Sequence, residues 1–313
     1  MSFSVMRCRN GRLIVLDQTK LPLTESYIEC RNITMVWNAL KKLQVRGAPL
    51  IGAFASYGVY VGVKEFKGAA TQKFIAHAHK VIRYLKTSRP TAVNLFWALE
   101  RMERFIDSNR TCAVPLLKKL ILEEADRVNA EEIQRCKGIA EYGVTLVKEG
   151  SRILTHCNAG MLATSGMGTA LAVIYEAARH YKDLTVYADE TRPLLQGARL
   201  TCWELMKQGI KPVLICDDMA ASLMYRKKID MVIVGADRIA ANGDTANKIG
   251  TYNLAVLCRH HGIPLYIAAP VNTFDPAIPD GGKIPIEERS PEEVRTCFGK
   301  RTAPKGVNTY NPA

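Results

Sequence analysis

Cys157 closes a short apolar run, RILTHC, and Gly160 follows three positions later. A thiol at a strand end beside the start of a helix sees the positive end of the helix dipole. That favours thiolate and makes the group a base or a nucleophile. The competing reading is a buried cysteine packed as a small hydrophobe. His156 is adjacent, but neighbouring strand residues point to opposite faces, so it reads as structural. Asp237 ends the most apolar run, MVIVGAD. A carboxyl held there is expected to be partly desolvated, with a raised pKa that suits a general acid. The alternative is a cap on the next turn or an ion pair with Arg238.

Four other places suit a ligand, three of them an anion. Arg46, Gly47 and Ala48 stand just before Pro49 at a predicted helix start, where free N–H groups and a glycine let an anion approach. Arg89 precedes Pro90-Thr91 at another helix start. Asn247 and Lys248 fall near the start of a helix expected over 245–261, where the lysine opposes the dipole unless an anion offsets it. Gln196 begins a helix after Pro193 and could hydrogen-bond sugar hydroxyls. The plain alternatives are ordinary loops, solvated cations and simple helix starts.

The elements that must position these groups change rhythm along the chain. Asn10-Gly11 between VMRCR and RLIVL predicts a hairpin, so residues 1–30 read as a small β element. Apolar residues at helical spacing predict helices from Pro49 to about Val63, over 71–86, over 91–106 and after Pro115. Beyond about residue 150, short apolar runs at 152–157, 184–189, 211–217, 229–237 and 263–270 alternate with helical stretches at 161–180, 196–208, 219–227 and 245–261. Such alternation specifies a mostly parallel sheet covered by helices on both faces, with ligands at the carboxyl ends of its strands. The expected division is a helical domain over 1–130 and an α/β domain over 131–313.

No G-x-G-x-x-G follows a strand, and no P-loop or G-x-S-x-G occurs, so no nucleotide cofactor is expected. The nine cysteines form no C-x-x-C pair and no zinc-like cluster, so no metal is expected. With arginines where a signal peptide would be apolar, they predict a reducing, cytoplasmic setting. The uncharged stretch 153–175 opens like a strand and carries His156 and Asn158, so no membrane span is expected. The chain has 43 Lys and Arg against 30 Asp and Glu, a net +13, and the first 150 residues carry most of the excess. They form no dense basic tract interleaved with aromatics, so the charge reads as solvated helix faces and not as a nucleic-acid surface.

The segments LDQTKLP, VRGAPLIG, SRPTAVN, THCNAG with GMGTAL, DETRPLLQGARLT, VGADRIAANGDTANKIGTYNLAV, HGIPLYIAAP and IPIEER run from about residue 16 to the end. Together they resemble the S-methyl-5-thioribose-1-phosphate isomerase family. Its wider group includes ribose-1,5-bisphosphate isomerases and regulatory subunits of the initiation factor 2B exchange factor. The resemblance implies a helical N-terminal domain with a small β element and a Rossmann-like C-terminal domain. It implies an aldose–ketose isomerase of methionine salvage, working as a homodimer without a cofactor. A 5-deoxyribose 1-phosphate or ribose 1,5-bisphosphate isomerase, or a non-catalytic regulatory subunit, are the alternatives. It assigns catalysis to Cys157 and Asp237, and substrate binding to Arg46, Gly47, Ala48, Arg89, Gln196, Asn247 and Lys248. It also implies a further segment beyond Ala313.

Overall fold

Asn10 and Gly11 both take positive φ, 51° and 69°, as a tight two-residue hairpin requires. They join β1 (Met6–Arg9) to β2 (Arg12–Leu16). In this computed structural model, which describes residues 3–89 and 92–312, β3 (Tyr27–Cys30) completes an antiparallel sheet in the order β1-β2-β3. Leu13 and Val15, two apart on β2, share one face and are fully buried.

Five helices follow: α1 (Ile33–Lys41), α2 (Ala48–Val63), α3 (Thr71–Lys86), α4 (Val93–Ser108) and α5 (Val114–Gly143). The sequence of α2, APLIGAFASYGVYVGV, is apolar all round, so only a core position suits it. It packs against α1, α3 and α4, which bury Val36, Phe74 and Leu99 on their apolar stripes. Pro90 and Thr91, expected at the start of the helix after Arg89, lie outside the described residues. One compact unit holds the chain up to Gly138 together with Met161–Gly168. The other holds Ile139–Gly160 and the chain from Thr169 onward.

The second unit is the expected Rossmann-like layer. Its parallel sheet joins β4 (Arg152–Thr155), β5 (Thr185–Asp189), β6 (Pro212–Ile215) and β7 (Met231–Val234). A small pair, β8 (Arg238–Ala240) and β9 (Thr245–Ala246), comes before the fifth strand, β10 (Leu265–Ile267). The order is β10-β7-β4-β5-β6. The helices between them are α6 (Ala170–His180), α7 (Cys202–Lys207), α8 (Met219–Tyr225) and α9 (Thr251–His261). Val232 and Val234 on one face of β7 pack with Ala220 and Met224 of α8 and Leu254 and Cys258 of α9. Each large side chain buried this way contributes roughly 1.5–3 kcal/mol.

Three helices start later than their apolar patterns suggest. The stretch expected from 161 yields only a short 3-10 turn, Met161–Ala163, before α6 begins at Ala170. Its glycines disfavour a continuous helix, and Gly168 sits at φ +105°. The stretch from 245 first pairs as β9 with β8, and α9 starts only after Gly250 at φ +102°. The stretch from 196 opens as a π-turn, Gly197–Thr201, because Gly197 lies so close to the Asp189 carbonyl that a Cβ would overlap it. No helix among the described residues is long and apolar enough to cross a membrane.

Candidate active site

The chain runs from β4 outward through β5 to β6, then returns to the other side of β4 for β7 and β10. Strand order therefore reverses between β4 and β7. Ligands in open parallel sheets bind beyond the carboxyl ends at such a reversal. Cys157 lies two residues past the end of β4, and Asp237 three past the end of β7. The two strands are hydrogen-bonded neighbours, Leu154 opposite Val232.

Polar side chains hold the Cys157 turn on both sides. Cys157 takes φ +61°, a left-handed conformation for a residue with a Cβ. Its N–H donates to the Thr191 hydroxyl at 2.8 Å, and its carbonyl accepts from the Thr201 hydroxyl at 2.6 Å. Thr191 is itself left-handed, at φ +64°. The Asp217 carboxylate accepts from the N–H groups of Thr191 and Arg192, each at 2.7 Å. Asn158 donates to Thr201 at 3.2 Å and to the buried Glu204 carboxylate. Left-handed residues of this kind cost on the order of 1–3 kcal/mol each and persist where their surroundings over-determine them, as at active sites. The expected helix start does not lie beside Cys157, because α6 begins thirteen residues later. Hydroxyls hold the thiol-bearing residue instead.

Asp237 corrects another expectation. It is exposed, not desolvated, because it stands beyond the end of the apolar strand. Its N–H donates to the Ala246 carbonyl at 2.9 Å, which starts the β8–β9 ladder. Arg238 pairs with Asp275 at 3.5 Å, so the ion pair weighed for Asp237 is formed elsewhere.

Gln196 and Lys248 line one shallow cleft with Pro193, Leu194, Arg289, Glu293, Asn311 and Pro312. Gln196 is buried, and its Oε1 has no hydrogen-bond partner among the described residues. Burial would raise the Glu293 carboxyl, but its bonds to Arg289 and Asn311 outweigh that and hold it below the usual range. Asn247 and Lys248 precede α9 and do not form its first turn. Asn247 donates to the Thr251 hydroxyl at 3.0 Å, and that hydroxyl donates to the Lys248 carbonyl at 2.8 Å.

In the other unit, Gly47 is the N-cap of α2 at φ +89°, and Ala48 is the first helical residue. Gly47 rests on the backbone of Ala163, where a Cβ would overlap. Gln18 donates to the Leu162 carbonyl at 2.7 Å and steadies the same segment. Arg46 and Arg89 are half-buried.

The sequence places Asn158 and Thr191 at strand ends where ligands bind, but gives no reading of Thr201 and Glu204, which also hold the Cys157 turn. It gives none of Arg289, Glu293 and Asn311 in the cleft either. The strand-end segment DETRP is the signal for Thr191, and IPIEER the signal for Arg289. His156, Asp189 and Asp217 place ligand-type atoms within 4.8 Å of one another. Both Asp217 oxygens hold backbone N–H groups, and both His156 nitrogens are bonded within the protein.

A family model described as the initiation factor 2 subunit family matches residues 44–313. A curated protein of Heliobacterium modesticaldum, methylthioribose-1-phosphate isomerase, is 54% identical over 98% of this chain and 89% of its own length. A Petrotoga mobilis protein named 5-deoxyribose 1-phosphate isomerase is 52% identical over 97% of this chain and 87% of its own. The crystal structure of 5-methylthioribose 1-phosphate isomerase from Pyrococcus horikoshii superposes with a TM-score of 0.91 at 42% identity, covering 99% of this chain and 86% of that one.

Proposed function

This chain belongs to the initiation factor 2 subunit family, and we propose that it is an aldose–ketose isomerase. Its reaction converts S-methyl-5-thio-α-D-ribose 1-phosphate to S-methyl-5-thio-D-ribulose 1-phosphate in methionine salvage. The observation that carries the reading is the pair of reactive side chains, Cys157 and Asp237, just beyond neighbouring strand ends at the sheet's reversal point. The relatives named as such isomerases support it.

Phosphate on C1 prevents the ring from opening as a free sugar does. Asp237 gives a proton to the ring oxygen as the bond from that oxygen to C1 breaks, leaving positive charge at C1. Two routes lead on. In one, the Cys157 thiolate takes the C2 proton, an enol forms, and the proton is delivered to C1 as the C2 hydroxyl loses its own and becomes a ketone. In the other, C2 hydrogen passes to C1 as hydride, and the C2 hydroxyl loses its proton in the same step. Arg46 and Arg89, with the N–H groups at Gly47 and Ala48, hold the phosphate. Gln196, Asn247 and Lys248 hold the sugar and its anionic end. The protein acts in the cytoplasm as a homodimer, without metal or cofactor; light scattering on the purified protein tests the dimer.

Purified enzyme should form the ketose 1-phosphate. Cys157→Ser and Asp237→Asn should each fold normally and lose about 10²–10⁴-fold in turnover. Near-normal turnover by either variant removes that residue from the mechanism. Deuterium placed at C2 separates the routes: exchange into solvent supports proton transfer, and full retention supports hydride. A second substrate, 5-deoxyribose 1-phosphate, is favoured by the 52% identity to a protein named for it. Comparing kcat/KM for the methylthio, deoxy and bisphosphate sugars decides among them. Absence of product from all three leaves the regulatory-subunit reading.

A further inference from the structure

His156 is buried, and its two ring nitrogens reach opposite parts of the second unit. Nε2 lies 2.8 Å from the carbonyl oxygen of Ile249, and Nδ1 lies 2.8 Å from Oδ2 of Asp189. A carbonyl can only accept, so Nε2 carries a hydrogen. A hydrogen must also lie between Nδ1 and Asp189, since two bare acceptors at that distance repel. It sits on the ring, giving imidazolium and carboxylate, or on the carboxyl, giving imidazole and acid. In both cases the pair is neutral overall, which suits two side chains that are each 1% exposed. Burial raises the Asp189 carboxyl against the pull of His156.

The Nε2 bond ends on the residue between Lys248 and Gly250. Gly250, at φ +102°, brings its backbone onto the imidazole, and a Cβ there would stand 2.6 Å from Cε1 and 2.7 Å from Nε2. The ring therefore fits this turn closely as well as bonding to it. Within the turn, Thr251 ties Asn247 to Lys248. These bonds make 247–251 a closed loop, and the His156 bond fixes that loop to the end of β4, one residue from Cys157.

We propose that His156 is a positioning residue: its Nε2–H fastens the Asn247-Lys248 turn to the strand end that carries Cys157, so that the groups binding the sugar phosphate are set relative to the thiol. The proposal rests on the reading that Asn247 and Lys248 bind substrate. It gives His156 no contact with the reacting carbons.

Steady-state kinetics with methylthioribose 1-phosphate on three variants test it. His156→Asn keeps a polar group toward Asp189 but cannot reach Ile249. It should raise KM about 10–100-fold, the range expected for misplaced binding groups, and leave kcat within about threefold. His156→Gln restores an N–H near the Nε2 position and should recover most of the KM loss. Gly250→Ala leaves the histidine intact but pushes the turn away from it, and should raise KM in the same way. A fall in kcat with KM unchanged in His156→Asn, or a His156→Gln no better than His156→Asn, overturns the proposal. If the histidine variants do not fold, Gly250→Ala decides, and an unchanged KM there overturns it. A turnover-independent arm is ¹⁵N-histidine NMR of the wild type. A slowly exchanging Nε2–H supports the clamp, and a ring unprotonated at Nε2 overturns it. If the wild type isomerises none of the sugars, the isomerase reading fails while the NMR arm still decides the clamp.

Discussion

The amide of Cys157 ends on the hydroxyl of Thr191, 2.8 Å away, and both residues occupy the left-handed region of backbone space. The same hydroxyl donates to the Asp189 carbonyl at 3.1 Å. One threonine thus joins the turn after β4 to the end of β5. Without these bonds the turn would relax toward ordinary backbone angles and carry the thiol with it.

Thr191→Val keeps the shape and removes the hydroxyl. It removes the hydroxyl that accepts from the Cys157 N–H, at a cost of about 1–3 kcal/mol where that group is buried. Turnover should fall about 10–100-fold through a misplaced thiol, while Thr191→Ser stays close to wild type. Thermal unfolding and kcat measured on both variants check this. Equal activity in the valine and serine variants would show that the hydroxyl does not set the thiol.

Much of this arrangement is legible from residue types alone. Five apolar runs, four of them ending at polar residues, specify the parallel sheet, and Cys157 and Asp237 stand at two of those ends. The hairpin at Asn10-Gly11 is legible because that dipeptide tolerates the positive φ its turn demands. The helix starts are less so. Apolar periodicity through 161–169 and 245–250 reads as helix, but glycines at 168 and 250 and the β8–β9 pairing override it. Asp237 is exposed where the sequence suggests burial, because exposure depends on where the strand stops, three residues earlier, and no apolar run reports its own end. The web around Cys157 is hidden for a different reason. Thr191, Thr201 and Asp217 are 34, 44 and 60 residues away in sequence, and only the strand order β4-β5-β6 brings their elements side by side.

Alkylation tests Cys157 against the other cysteines. Burial pushes Cys30 and Cys136 up to about 12, and Cys258 up to about 11. Cys216 is exposed, but Glu190 beside it raises it as well. Thiolate is the form that iodoacetamide attacks, so the first three should stay unmodified in the folded protein at pH 7.5. Peptide mapping after timed alkylation should show loss of activity tracking modification of Cys157, with product protecting it. Inactivation that instead follows Cys216 or Cys112 would remove Cys157 from the site.

Acid should weaken the small sheet through Glu29. The Arg12 guanidinium bonded to it, with Arg31 nearby, lowers its carboxyl from 4.5 to about 2. A carboxyl depressed in the folded state stabilises it above the unfolded value. That contribution is lost as pH falls from about 4.5 toward 2. The pair is exposed, so the effect is small and further screened by salt. Urea unfolding of wild type and Glu29→Gln between pH 6 and 2 checks it. The difference in stability between the two should shrink as the pH drops, and a constant difference across that range would rule the linkage out.

Gly47 gives the sharpest test of the helix start that carries Arg46. Two independent features demand glycine: φ of +89°, which an L side chain rarely adopts, and the Ala163 backbone occupying the space a Cβ would need. Ala163 is backbone of a 3-10 turn whose Leu162 carbonyl is held by Gln18, so it cannot step aside as a flexible side chain would. Gly47→Ala must therefore shift the first turn of α2 or the segment beneath it. The expected destabilisation is about 1–3 kcal/mol, with KM for the sugar phosphate rising more than kcat falls, because the N–H groups and Arg46, to which the proposed function assigns the phosphate, move together. Gly68→Ala, at φ +151° but facing only the Phe66 ring, supplies the comparison: it carries backbone strain and no overlap with main chain. If the two alanine variants lose equal stability and neither changes KM, Gly47 serves the backbone turn alone, and the phosphate grip assigned to this helix start is wrong.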